Sequence, residues 1–133
     1  MDIRHSGSTP SNTAPADYFT GTVWQEAICD PTETKAVIAL LVTFAPNART
    51  NWHKHALGQT LYVTSGSGLI QSRGGPVNTI RAGDRIWIPA GEEHWHGATP
   101  YNLMSHIAIQ EVEDGTATHW LEPVTDAQYQ GQS

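Results

Sequence analysis

The chain of 133 residues has a single cysteine, Cys29, so no disulfide can form within it. That thiol reads as a loop or packing residue. Basic residues are scarce: seven Lys and Arg stand against thirteen Asp and Glu, a formal net charge of −6. No basic cluster offsets this balance, which argues against a nucleic-acid partner. No run approaches the roughly 18 apolar residues of a membrane span. The opening MDIRHSGSTPSNTAP has no apolar core of the secretory kind. These absences predict a soluble, cytoplasmic protein without a membrane partner. Helical periodicity is also nearly missing. Only TDAQYQ, residues 125–130, carries a helix signal, with Thr125 as N-cap and Gln128 three residues later.

What remains is a succession of short β-rich runs: GTVWQ, TKAVIALLVTFAP, QTLYVTSG, GLIQS, VNTIR, DRIWIPA, YNLMSHIAIQEV and HWLEPV. Gly and Pro punctuate them. RGGP predicts a hairpin between GLIQS and VNTIR, and Gly66 and Gly68 read as strand breakers. The pattern predicts one all-β domain, a sandwich or barrel. Residues 1–16 are rich in Ser, Thr, Pro and Gly. They read as a flexible N-terminal arm, mobile or ordered only against a partner, which leaves residues 17–133 as the domain.

Side chains alternate across a strand, so residues two apart share a face. Leu40, Val42 and Phe44 form one such set. Gln59, Leu61 and Val63 form a second, and Met104, His106, Ala108 and Gln110 a third. Each mixes apolar residues with at most two polar ones, as in an apolar cavity with a few placed polar groups. Leu40, Val42, Leu61, Val63 and Met104 are expected to line that cavity.

Seven histidines are present, four of them in two His-x-His pairs, His53/His55 and His94/His96. On a strand the members of each pair point the same way and can reach one ion. A single pair reads as surface or core histidines. Two pairs framed by turn glycines point to a metal site. Neutral imidazole suits Zn, Fe, Mn, Cu and Ni, so the histidines alone do not choose among them. Gln59, four residues after His55, puts a neutral amide where a divalent site normally draws a carboxylate. His5 and His119 read as ordinary surface residues. Trp24, Trp52, Trp87, Trp95 and Trp120 read as core or interface, with Trp52 and Trp95 pointing away from the metal.

The spacing His53-x-His55-x3-Gln59-x6-Gly66 resembles the first motif of the cupins, with Gln in place of Glu. Gly83-x5-Pro89-x-Gly91-x2-His94 resembles the second. Asn47 stands where the first motif usually begins with Gly, and Ala98 where the second often ends with Asn. The resemblance implies a cupin barrel (a double-stranded β-helix, or jelly roll) with a metal inside, held by His53, His55, Gln59 and His94. ADYFTGTV, VTFAPNARTNWHKHALGQTLYVTSG, PAGEEHWHGATP and SHIAIQEVEDG…WLEPVTDAQY further resemble the bacterial cupin hydroxynitrile lyases. Those are manganese-dependent proteins that make or cleave (R)-cyanohydrins such as mandelonitrile.

That likeness implies Mn(II) as cofactor, with Fe(II) or Zn(II) as substitutes, and a small-molecule substrate. His96 and His106 are the candidate bases, and Gln110 a donor to the cyanide nitrogen or the oxygen. Three histidines and an amide leave a divalent site one unit more positive than three histidines and a carboxylate. At 4 Å that unit is worth about 4 kcal/mol at an effective dielectric of 20. The amide therefore favours Lewis-acid chemistry over oxygen activation. The alternatives are a cupin dioxygenase cleaving a phenolic or alkene substrate, and a small-ligand-binding cupin without catalysis. The arm, the tryptophans and the strand edges predict a homodimer or homotetramer.

Overall fold

The computed structural model describes residues 1–132. Its strands in chain order are β1 (Asn12–Thr13), β2 (Phe19–Thr20), β3 (Val23–Ala27), β4 (Val37–Phe44), β5 (Arg49–Thr50) and β6 (His53–Lys54). They continue with β7 (Gln59–Ser72), β8 (Val77–Arg81), β9 (Arg85–Ile88), β10 (His94–Ala98), β11 (Met104–Glu111) and β12 (His119–Trp120). One helix, α1 (Asp126–Tyr129), follows. Thr125 caps it, and the Gln128 side chain closes the reciprocal capping box. No helix among the described residues is long and apolar enough to cross a membrane.

All pairings are antiparallel, and β7 belongs to both halves of the barrel. Its first part pairs with β9 and β11, and its second part with β8 and β10. The first sheet runs β1-β3-β4-β11-β7-β9. The second carries β8, β7 and β10, with β5 and β6 beside β10, β2 beside β5 and β12 beside β6. The chain thus curls into the barrel that the cupin resemblance implied.

The two glycines read as breakers instead lie inside one strand of 14 residues. Gly66 has φ 75°, and a Cβ there would run into the carbonyl of Leu103. A Cβ at Gly68 would lie 2.6 Å from the carbonyl oxygen of Gly97. The glycines let the strand bend from one sheet to the other against a close neighbour without ending it. Asn47, where the motif usually has Gly, sits at φ 72°. Asn tolerates that left-handed conformation, so the turn survives the exchange.

The RGGP hairpin forms, joining β7 to β8 with Gln71 opposite Val77. The arm is not wholly detached: Asn12 and Thr13 pair with Gln25 and Trp24 of the same chain. Nearer the terminus, Arg4 reaches Asp30 and Glu33.

Two apolar clusters form. The larger fills the barrel with Phe44, Leu61, Val63, Ile80, Ile88 and Met104 among others. The smaller lies outside it, where Trp52 and Trp95 pack with Val124 and Tyr129. Alternation explains the split: His53 and His94 point inward, so Trp52 and Trp95 must point outward, and the C-terminal segment covers them. Trp24 and Trp87 do not join either core and stay exposed.

Candidate metal centre

His53 on β6 lies directly opposite His94 on β10, so the two His-x-His segments meet across one strand pair. The backbone then fixes three rings in the same sense. The Nδ1 of His53 lies 2.9 Å from the Asn51 carbonyl, that of His94 2.9 Å from the Glu92 carbonyl, and that of His55 2.7 Å from the Ala117 carbonyl. A carbonyl only accepts, so each Nδ1 carries the proton and each Nε2 keeps a lone pair. This is how a metal-ligating histidine is oriented.

Nitrogens of His53, His94 and His96 lie within 4.8 Å of one another. The rings of His55 and His53 are 5.1 Å apart and perpendicular. Gln59 completes the group. Its Nε2 donates to Gln110 Oε1 at 3.1 Å, which turns its Oε1 to 3.1 Å from His94 Nε2. With the His94 proton on Nδ1, two lone pairs face each other there. His55 Nε2 is fully buried and has no partner among the described residues. Facing acceptors and an orphaned buried acceptor are what a cation would satisfy, so the donor set fits a divalent metal. The tightest grouping is thus His53, His94 and His96, with Gln59 on His94 and His55 beside His53.

His96 differs from the other three. Its Nδ1 meets no carbonyl but faces His106 Nε2 at 2.9 Å. One ring must donate and the other accept, so the proton of this pair has two places to sit. Burial holds all of these imidazoles neutral. It pushes His94 and His106 down to about 4, and lowers His53 and His96 well below their ordinary value, with neighbouring imidazoles adding to the effect on those two. Burial also lowers His55.

The group borders a cavity of about 160 Å³. Polar side chains on its wall include His53, His55, Gln59, His96, His106 and Gln110. The apolar side chains on it are Phe19, Ile38, Leu40, Val42, Phe44, Ala108 and Trp120. No carboxylate, Lys or Arg side chain among the described residues lines it. Leu40 and Val42 are therefore on the wall, whereas Leu61, Val63 and Met104, expected beside them, are wholly buried in the barrel core and do not line it. Alternation correctly turned these three inward. It carries no information on depth, and they sit where side chains fill the barrel completely.

Sequence reasoning passed over Phe19, Thr50, Thr118 and Trp120. Trp120 was assigned to the core or an interface, yet it pairs with His53 across β12 and β6 and its ring lies 4.9 Å from that imidazole. Tyr18 stacks on its other side at 4.6 Å. The signal was present in the alternation of HisTrp on the last strand, but nothing in the sequence says that this strand returns to the histidines. Thr50 Oγ1 accepts from the His96 backbone N–H at 3.2 Å, holding β10 in place.

Residues 40–101 match the cupin domain model. The chain is 50% identical over 129 residues to an (R)-mandelonitrile lyase of Granulicella tundricola, covering 97% of this chain and 98% of that protein. Among solved structures it resembles a cupin-like protein from Thermotoga maritima, with 36% identity, a TM-score of 0.85, and 100% and 98% of the two chains covered. A polyketide cyclase from Streptomyces resistomycificus shares the fold at 18% identity and a TM-score of 0.73, over 94% and 86% of the chains.

Proposed function

The chain belongs to the cupin family, and from that premise we propose that it is a hydroxynitrile lyase, reversibly cleaving (R)-cyanohydrins such as mandelonitrile to an aldehyde and cyanide. The observation that carries this reading is the mixed lining of the cavity, where apolar side chains stand beside uncharged polar ones. A space of about 150 Å³ accepts a benzene ring, and the whole cavity here is about 160 Å³. The polar groups beside the apolar ones are neutral donors and acceptors, suited to a hydroxyl, a carbonyl and a nitrile. Half identity along nearly the whole chain to a protein named for this reaction supports the same chemistry.

His53, His55, Gln59 and His94 would hold the ion, read as Mn(II) with Fe(II) or Zn(II) as substitutes. When bound, a divalent ion supplies Lewis acidity at the substrate oxygen, undiluted by any carboxylate. The chain's own groups do the rest. With its proton on Nδ1 donated to His106, His96 presents a bare Nε2, which has no other partner among the described residues. That nitrogen takes the hydroxyl proton as general base, and His106 shares the resulting charge. The C–C bonding pair leaves with cyanide while the oxygen's pair forms the carbonyl. Because burial disfavours the charged ring, His96 readily returns the proton to the departing cyanide, releasing HCN. Gln110 Oε1 is occupied by Gln59, so its Nε2 is the end that can donate to the nitrile nitrogen.

The test is benzaldehyde release from racemic mandelonitrile by Mn-reconstituted protein, in air and anaerobically. Equal rates with preferential loss of the (R) form are expected. No release, or turnover only in oxygen, would overturn the reading in favour of the dioxygenase.

A further inference from the structure

Arg49 on β5 is a buried cation that the cavity does not use. Its side chain is 3% exposed and lines no part of the cavity. Taking a guanidinium out of water is costly unless hydrogen bonds replace its hydration. Both short bonds that it makes go to one segment near the C-terminus. Nη2 donates to the Val124 carbonyl at 2.9 Å and to Asp126 Oδ1 at 2.8 Å. The remaining bond, from Nη1 to the Asn47 carbonyl, is 3.4 Å long. The guanidinium also lies 4.6 Å over the Tyr129 ring, whose hydroxyl donates to the Ala98 carbonyl at 2.6 Å.

That segment, residues 117–129, is a strap that runs antiparallel to residues 49–55, from the metal centre to Arg49. At its first end the Ala117 carbonyl accepts from His55 Nδ1 at 2.7 Å, and Trp120 packs on the His53 ring. Along its middle, Leu121 N–H donates to the Trp52 carbonyl at 2.8 Å and Trp52 N–H to the Glu122 carbonyl at 3.0 Å. Arg49 and Tyr129 fasten the far end. His53 and His94 find their orienting carbonyls two residues earlier, at Asn51 and Glu92. Among these three rings only His55 takes its acceptor from a distant segment.

We propose that Arg49 is a positioning residue for the metal centre: it locks the strap that holds Ala117 against His55 and Trp120 against His53, and so slows release of the ion. The inference rests on the metal reading of the histidines and is independent of the substrate. An unlocked strap can peel back from Tyr129 toward Trp120. His55 then loses the acceptor that keeps its lone pair on Nε2. Coupling of this kind is reciprocal, so an ion that fixes His55 also fixes the strap.

The test uses Co(II) as the probe, because its visible spectrum reports ligand geometry. The loaded protein and its variants are mixed with excess EDTA, and the decay of that spectrum is followed. Arg49→Met is expected to release Co(II) about tenfold or more faster than the wild type, with a shifted spectrum before release. Arg49→Lys keeps the charge but not the fork that reaches two acceptors, and is expected to fall between the two. Asp126→Ala removes a carboxylate that is 86% exposed and is expected to speed release about threefold. That variant decides the matter should Arg49→Met fail to fold. Gly66→Ala strains the bend of β7 against Leu103 and Met104 and does not touch the strap, so it is expected to release Co(II) at the wild-type rate. In the wild type the Leu121 amide is expected to exchange hydrogen more slowly with Co(II) bound than without. Unchanged release from both Arg49→Met and Asp126→Ala, release from Gly66→Ala as fast as from Arg49→Met, or exchange at Leu121 indifferent to the ion would each overturn the inference and leave the metal reading in place. A wild type that takes up no Co(II) would overturn both.

Discussion

Gln59 and Gln110 are joined by one hydrogen bond, from Gln59 Nε2 to Gln110 Oε1 at 3.1 Å. Their strands lie in the same sheet, and both side chains are buried. An amide can be held this way because it donates at one end and accepts at the other. A carboxylate at position 59 would face Gln110 with two acceptors, and Gln110 would have to turn its Nε2 inward. The amide is thus specified by its neighbour as well as by the charge of the site.

Gln59→Glu tests both consequences. The ion should still bind, because length and an oxygen ligand are kept. The cavity loses one unit of positive charge where the substrate oxygen gains negative charge. If only about 1 kcal/mol of that survives screening, turnover falls about fivefold, and about 3 kcal/mol would cost over a hundredfold. Metal content and anaerobic cyanohydrin cleavage should be measured on one preparation. A fully loaded variant with an unchanged rate would show that the amide is a tolerated isostere.

Leu40 borders the cavity from β4, beside Val42 and opposite Ala108 across the strand pair. Leu40→Ala should enlarge the cavity and admit bulkier aldehydes, at a stability cost of about 2 kcal/mol for a partly buried leucine. The check is the ratio of rates for a fused-ring aldehyde and benzaldehyde in the cyanide-addition direction. An unchanged ratio would mean that residue 40 does not set the size limit.

Much of this site was legible because its signals are local. Two residues of spacing pair His53 with His55 and His94 with His96, and Thr125 with Gln128 announces the one helix among the described residues. What the sequence hid depends on tertiary placement. Trp120 reaches His53 only because the C-terminal strand folds back on β6, and the Ala117 carbonyl that orients His55 comes from 62 residues away. Leu61 and Val63 have the same parity as Gln59 on the same strand, yet only Gln59 reaches the cavity. Depth along a barrel is set by which opposing side chains meet, and alternation does not encode it.

Gly66 offers a test of the bend in β7. Alanine there would have to adopt φ 75° and place its Cβ against the Leu103 backbone, which has no flexible end to yield. Gly66→Ala should lose more than about 2 kcal/mol of stability in urea unfolding, well beyond the ordinary surface substitution. Gly74 shares a positive φ but has open space around it, so Gly74→Ala should cost about 1 kcal/mol and isolates the backbone part of the effect. Equal losses for the two variants would refute the close-approach explanation.

The buried imidazoles make acid sensitivity the last expectation. His106 and His94 are held at about 4 in the fold, against an ordinary value of 6.5 in the unfolded chain. Between those limits the unfolded chain binds protons that the folded chain refuses. Stability is therefore complete above pH 6.5 and falls as the pH drops, with the loss ending only near pH 4. At pH 5 each of these two rings has cost about 2 kcal/mol, and His53 and His96, shifted in the same direction, add to it. The measurement is the urea midpoint of chelator-stripped protein at pH 7.5, 6 and 5, because a bound ion would itself hold the rings neutral. A loaded sample run in parallel should keep its midpoint further into acid and then lose ion and stability together. A stripped protein with the same midpoint at pH 7.5 and pH 5 would show that these histidines take up protons within the fold.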